Sequence, residues 1–207
     1  MKHNKHPSQL LLESVRILDG QADLLPFHQR RVDRSRRALF AKSPALKLDK
    51  VLAGLELPRN GLFKLRIEYA ETIHKTELVP YVPKIIKSLR LVDANALSYG
   101  QKFTDRTGIR QCLEKKGNCD DILMVQYGYL TDASYANVAL FDGSYWYTPS
   151  WPLLRGTRRE SLLESGVLKP TVIRARDLDS FSKIRLINAM LPWEEAMEVA
   201  VDQVMGR

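Results

Sequence analysis

Asp132 and the run Gly156-Thr157-Arg158-Arg159 set an acid and a candidate anion-binding turn on one stretch of chain. Asp132 stands where an apolar strand ends, in Thr131-Asp132-Ala133-Ser134. A carboxylate between apolar strands must find a donor or bear a desolvation cost of roughly several kcal/mol. The Gly-Thr-Arg run precedes Glu160-Ser161-Leu162-Leu163-Glu164-Ser165-Gly166, which reads as a short helix closed by glycine. The first amides of a helix have no acceptor inside it and favour an anion. Lys102, in Tyr99-Gly100-Gln101-Lys102-Phe103, stands apart from the helical Lys115 and Lys116 and can face a cleft. A lysine, a carboxylate, an arginine and an anion seat are what an aldehyde cofactor with a phosphate tail requires: a Schiff-base amine, a ring-nitrogen partner and a phosphate cradle. Taken singly, each has an ordinary structural reading as a loop Asp, a plain helix start or a surface Lys.

The elements that must position these residues follow from periodicity. Leu10 to Leu18 and Ala22 to Leu25 flank Asp19-Gly20 as a hairpin, and Pro26 opens an Arg-rich helix. Strands are expected over Gly61–Tyr69, more weakly over Thr76–Val82 because of Pro80, and over Ser88–Val92. A helix capped by Thr104 or Asp105 should run to about Lys116. Strands at Ile122–Val125 and Val138–Phe141 follow, the second closed by the Asp142-Gly143 turn. A last strand is expected over Lys183–Met190, and WEEAMEVAVDQV after it can be helical. The expected organisation is an N-terminal lobe over 1–94, a connector over 95–103 and a C-terminal lobe over 104–207 holding the cofactor site.

Composition narrows the partners. The chain has 207 residues, 44% hydrophobic and 27% charged, ordinary values for a globular protein, and no apolar run approaches the roughly 18 residues of a membrane span. The basic start MKHNKHPSQ lacks the apolar core of a signal peptide, so a cytoplasmic location and no membrane partner are expected. Cys112 and Cys119 are too few for a disulfide framework or a Cys-rich metal site, and no metal is expected. A net charge of +8 suits anionic small molecules, nucleic acid or no specific partner, and charge alone does not choose among them. Arg30, Arg31, Arg34, Arg36 and Arg37 cluster in the Arg-rich helix, where Val32, Ala38, Leu39 and Phe40 supply an apolar face, so the arginines mostly line its solvated side. No nucleic-acid motif accompanies them, and no nucleic-acid partner is expected.

These residues resemble the class IV aminotransferase family, which has the D-amino-acid aminotransferase-like fold and includes branched-chain aminotransferases and 4-amino-4-deoxychorismate lyase. LLESVRILDG is similar to the family's FE-T strand and DG turn, and His28-Gln29-Arg30-Arg31 to its HxxRL helix, with Ser35 at the expected place. The resemblance implies that Arg31 binds the phosphate of pyridoxal phosphate. Lys102 falls before Arg106 and a helix, as the family's Schiff-base lysine does, which makes it the catalytic residue, holding the cofactor as an aldimine. DDILMVQYGYLTDASYANV resembles an acid-led strand followed by E-x-S-x-x-N, which places Asp132, Ser134 and Asn137 at the cofactor. Thr148-Pro149, Leu153-Leu154 and Gly156 to Arg159 resemble the TP and hydrophobic-L-x-G-hydrophobic-T-R pattern, whose Gly156, Thr157 and Arg158 would cradle the phosphate. Asn188-Ala189-Met190 resembles the N-S/A-hydrophobic run of lyase-like members: Asn188 and Ala189 would touch the cofactor and Met190 the substrate. Arg66, in Lys64-Leu65-Arg66, is a candidate for a substrate carboxylate.

The resemblance implies an α+β, two-lobed pyridoxal-phosphate fold of type IV, with a small α/β N-terminal lobe and a β-barrel-like C-terminal lobe. It also implies a homodimer acting on a small-molecule amino substrate, lyase-like. The alternatives are an aminotransferase on a D- or branched-chain amino acid, or a catalytically weak protein of this fold. The sequence departs from the pattern at three places. Asp132 replaces the usual Glu and is one methylene shorter, Arg158 holds the usual threonine position with Thr157 one residue early, and the chain begins near the family's GdGvFE strand.

Overall fold

The computed structural model describes residues 10–206, so the start MKHNKHPSQ lies outside the described residues. The chain divides into two compact units: residues 1–82 with 101–105, and residues 83–100 with 106–207.

In the first unit, β1 (Leu11–Leu18) and β2 (Gln21–Ala22) form the expected hairpin. Asp19 and Gly20 take φ of 48° and 82°, the paired left-handed conformations that Asp tolerates and Gly adopts freely. α1 (Leu25–Leu39) follows with Pro26 in its first turn, and α2 (Leu48–Ala53) after it. β3 (Leu62–Tyr69) and β4 (Ile73–Pro80) complete a sheet of order β2-β1-β3-β4. Pro80 ends the edge strand, where a missing N–H costs no ladder bond. Leu11, Val15 and Ile17 of β1 pack with Val32, Leu65 and Ile67 in the core of this unit. Glu13 shares their face of β1, because alternate residues point the same way. Residues 101–105 run beside β1: the Leu12 amide donates to the Lys102 carbonyl at 2.8 Å, and the Thr104 amide to the Leu10 carbonyl at 2.8 Å.

The sequence reading of α1 needs correction. Its buried stripe is His28, Arg31, Val32, Ser35 and Arg36, positions that share one helix face. Arg31 and Arg36 are therefore internal, while Ala38 and Leu39, expected on the apolar face, are exposed. Arg36 can be buried because it donates to the carbonyls of Ala70 and Glu71, at 2.6 and 2.7 Å, and to that of Pro44.

The second unit is built on a mixed sheet. Its elements are β5 (Leu89–Asp93), α3 (Thr107–Leu113), β6 (Asp121–Gln126), β7 (Tyr129–Ala133), β8 (Asn137–Phe141), β9 (Trp146–Pro149), α4 (Thr157–Glu164), β10 (Leu168–Thr171), β11 (Lys183–Ile187), β12 (Met197–Ala200) and β13 (Val204–Met205). The strand order is β10-β9-β8-β7-β6-β5-β13, with β11 added to β8 and β12 to β11. β5 lies parallel to β6 and β13 and belongs to this unit, although the sequence reading placed it in the N-terminal segment. α3 begins at Thr107 after Arg106, without a side-chain cap, and a 3-10 turn carries it to Lys116. Thr104 does not cap it, because its hydroxyl donates to Leu10 O. The segment expected to be helical after Trp193 instead forms β12, with Val199 opposite Ile184 and Glu198 opposite Arg185. Its period-two alternation, with Val199 buried and Glu198 bonded to Arg185 at 2.7 Å, outweighs the helical propensity of Glu, Ala and Met. Among the described residues, no helix is long and apolar enough to cross a membrane.

Candidate active site

The first unit holds a buried charge network on β1 and α1. Arg31 donates through Nε to Glu13 Oε1 at 2.8 Å and through Nη2 to Glu13 Oε2 at 2.5 Å, a bidentate pair. His28 Nδ1 lies 2.5 Å from the same Glu13 Oε2. All three side chains are buried. Burial alone would raise the Glu13 carboxyl, but the Arg31 guanidinium and then His28 outweigh it and hold it down at about 2. Burial pushes the His28 imidazole below its usual range, against the pull of Glu13. A neutral ring can only donate from Nδ1 here, since Glu13 accepts, and this leaves Nε2 as an acceptor; it is buried and has no hydrogen-bond partner. Ser35 donates to Gln101 Oε1 at 2.5 Å, beside half-buried Lys102, whose charge also lowers His28. Arg66, on β3, contacts Glu68 Oε1 at 3.1 Å and Glu77 Oε2 at 3.6 Å, so a substrate carboxylate would compete with two acids.

The second unit gathers the acid and the turn. Asp132 and Asn137 are the directly paired residues of β7 and β8, flanking the tight turn in which the Ala133 amide donates to Ala136 O. Paired residues share a face, so the two side chains meet: Asn137 Nδ2 donates to Asp132 Oδ1 at 2.7 Å. The other Asp132 oxygen accepts from the Leu154 amide at 2.9 Å. Asp132 is buried, and burial pushes its carboxyl up to about 7 against the donors of Asn137 and Leu154. Ser134 donates to Asp121 Oδ2 at 3.0 Å, and Arg106 donates to Ser134 O, so the serine side chain is committed to β6.

The start of α4 is a candidate anion seat. Gly156 is its N-cap in an extended conformation, and no N-cap side chain bonds the first-turn amides. Thr157 is buried and its hydroxyl has no hydrogen-bond partner. Arg159 fixes the turn to β9 by donating through Nε to Thr148 Oγ1 at 3.1 Å and through Nη2 to Pro149 O at 2.7 Å. Arg158, the next residue of the seat, is half-buried. Asn188 Oδ1 accepts from the Met190 amide at 2.8 Å, which folds Asn188, Ala189 and buried Met190 into one turn after β11.

The structure thus brings Asp132 and Asn137 together and sets Gly156 and Thr157 at one helix start, while Arg31 and Lys102 belong to the other unit. Glu13, Thr148 and Arg159 support these groups; the sequence reading placed Thr148 and Arg159 in the family pattern without giving them a role, and did not single out Glu13. Glu13 left a signal, since it is the one acid on a face otherwise made of Leu11, Val15 and Ile17.

Comparison with known proteins bears on the fold and the family. The chain is 34% identical over 183 residues to an uncharacterised protein of Haemophilus influenzae, covering 87% of this chain and 97% of that one. It superposes with a TM-score of 0.82 and 34% identity on the crystal structure of a "putative 4-amino-4-deoxychorismate lyase" from Haemophilus somnus, covering 87% of this chain and 96% of the other. The pyridoxal-phosphate-bound form of a hypothetical aminotransferase from Mycobacterium tuberculosis superposes with a TM-score of 0.73 over 97% of this chain and 83% of that one; at 20% identity this likeness concerns the fold. The family model Amino-transferase class IV matches residues 10–195, and the chain belongs to that family.

Proposed function

We propose that this protein is a pyridoxal-phosphate-dependent enzyme with lyase activity on an amino substrate of the 4-amino-4-deoxychorismate type. The observation that carries the cofactor reading is the start of α4, where a buried Thr157 hydroxyl without a partner stands at a helix N-terminus that no side chain caps. A buried unmet hydroxyl costs about 1–3 kcal/mol, and a phosphate oxygen there would remove the cost. The residues present fit the group. Thr157 Oγ1 and the first amides of α4 would donate to the phosphate, and the family resemblance adds Arg31, two of whose donors Glu13 already takes. Asp132 would face the ring nitrogen with a carboxylate already oriented by Asn137 and Leu154. Arg158, Asn188 and Ala189 complete the proposed contacts, and Met190 borders the substrate.

Pyridoxal phosphate, when bound, supplies an electron sink for the charge left as a bond at the amine-bearing carbon breaks. The chain's part is acid–base chemistry. Lys102 Nζ would carry the aldehyde at rest and, once released as a neutral amine, take and return a proton. Asp132, ionised, would keep a proton on the ring nitrogen and so keep the sink strong. The lyase assignment is supported by the name given to the Haemophilus somnus relative and by Asn188-Ala189-Met190. The reading includes a homodimer.

The test is an absorbance titration of purified protein with pyridoxal phosphate, then borohydride reduction and peptide mapping, beside Lys102→Ala. A band fixed at Lys102 and lost in the variant is expected; label scattered over surface lysines would overturn the assignment. Release of pyruvate from 4-amino-4-deoxychorismate without a keto acid identifies the lyase, whereas turnover only with a keto acid acceptor identifies a transaminase.

A further inference from the structure

Asn137 spends both of its N–H donors on one small region of the second unit. One goes to Asp132 Oδ1 and the other to Leu154 O, each at 2.7 Å. A carbonyl only accepts, so the contact with Leu154 O fixes which side-chain atom is nitrogen. The Leu154 amide in turn donates to Asp132 Oδ2 at 2.9 Å. Both polar groups of the Leu154 backbone are therefore held by the Asp132–Asn137 pair. Two residues on, a β-carbon at Gly156 would overlap Asn137 Oδ1, so the carboxamide takes the space where any other residue would place its side chain. Gly156 is the N-cap of α4, next to Thr157.

We propose that Asn137 is a positioning residue rather than a cofactor contact: its carboxamide fastens Asp132 to the Leu154–Gly156 turn, so that the acid and the anion seat of α4 are set as one piece. The inference builds on the pyridoxal-phosphate reading, whose two anchors in this unit it joins. The glycine follows from the same contact, since the turn can approach the carboxamide this closely only without a side chain. Burial apart, the groups that act most strongly on Asp132 are the Asn137 side chain, the Leu154 amide, the Arg159 guanidinium and the Leu153 amide.

The experiment is a double-mutant cycle of Asn137→Ala and Gly156→Ala on the full-length protein, with two readouts. Amide hydrogen exchange of the cofactor-free protein reports the fastening: Asn137→Ala should speed exchange at Leu154 by roughly tenfold or more while leaving β11 and β12 at wild-type rates. Binding of pyridoxal phosphate as a function of pH reports the coupling. Asn137→Ala should weaken it by roughly tenfold and move to higher pH the point at which affinity falls on acidification, because Asp132 loses a donor to its ionised form. Gly156→Ala alone should weaken binding more, and adding Asn137→Ala should cost nothing further, because the overlap has gone. Unchanged exchange at Leu154, strictly additive losses in the cycle, or a weaker binding curve with an unmoved pH profile each overturn the proposal. Failure of the wild-type protein to bind pyridoxal phosphate overturns the functional reading instead, and the exchange measurement still decides the fastening.

Discussion

Three buried ionisable groups respond to pH in different directions, and their residue-level environments say which. Glu13 is held at about 2, so it contributes stability above the ordinary carboxylate range that is lost as pH falls from about 4.5 toward 2. His28 is depressed by burial, and its neutral state is also lost on acidification, below the usual imidazole range. Asp132 behaves oppositely. Its carboxyl is raised from 3.8 to about 7 by burial, so its contribution is fully present below about 3.8 and disappears as pH rises through about 7. In the cofactor-free protein, wild type should therefore lose stability relative to Asp132→Asn between pH 4 and 7, with a slope of at most about 1.4 kcal/mol per pH unit. Urea unfolding of both proteins across this window measures the difference; parallel stability curves would mean that Asp132 is ionised throughout. The difference is the useful quantity, since His28 works against Asp132 over part of the same range.

At the scale of elements, what the sequence made legible was whatever local chemistry decides. The β1–β2 hairpin follows from Asp19-Gly20, the start of α1 from Pro26, and the α4 helix from a glycine on either side. The misreadings came where long-range partners decide. Arg31 and Arg36 read as solvated because nothing local reveals Glu13 or the carbonyls of Ala70 and Glu71. β12 read as helix because its partner β11 supplies the ladder that propensity cannot foresee. For the candidate site, the types and spacing of Asp132, Asn137 and Gly156 were legible, but the crossed bonds through Leu154 were not, since they depend on a loop closing over a hairpin. α4 carries a prediction of its own. Thr157→Val keeps the shape of the side chain and removes a buried hydroxyl that has no partner. The cofactor-free protein should become more stable, by about 1 kcal/mol, while affinity for pyridoxal phosphate falls. Thermal unfolding with and without cofactor reads both; a destabilised protein with unchanged affinity would show that the hydroxyl serves the fold and not a ligand.

Over the whole molecule, 32 basic residues against 24 acidic ones leave a surplus of +8, and the structure narrows what that surplus can serve. Part of the arginine cluster that read as solvated is internal: Arg31 is neutralised by Glu13, and Arg36 is spent on backbone carbonyls. Arg30, Arg34 and Arg37, spaced i, i+4 and i+7, stay at the surface of α1, with Arg30 over the Phe27 ring at 4.3 Å, so the basic row along the helix is three arginines and not five. A net positive charge with so short a basic row suits a small anion better than a polyanion, because it raises the encounter rate without needing a long matched row of phosphate contacts. Pyridoxal phosphate and a substrate bearing carboxylates are both such anions. Association of pyridoxal phosphate, followed by stopped-flow absorbance, should therefore slow several-fold as ionic strength rises from about 0.02 to about 0.5 M, while dissociation changes little, since screening acts on the approach more than on buried contacts. The same salt series with a duplex oligonucleotide should show no tight complex at about 0.15 M. A salt-independent association rate would remove the field from the account of cofactor capture, and a steep salt dependence for the duplex would return the basic surface to nucleic acid.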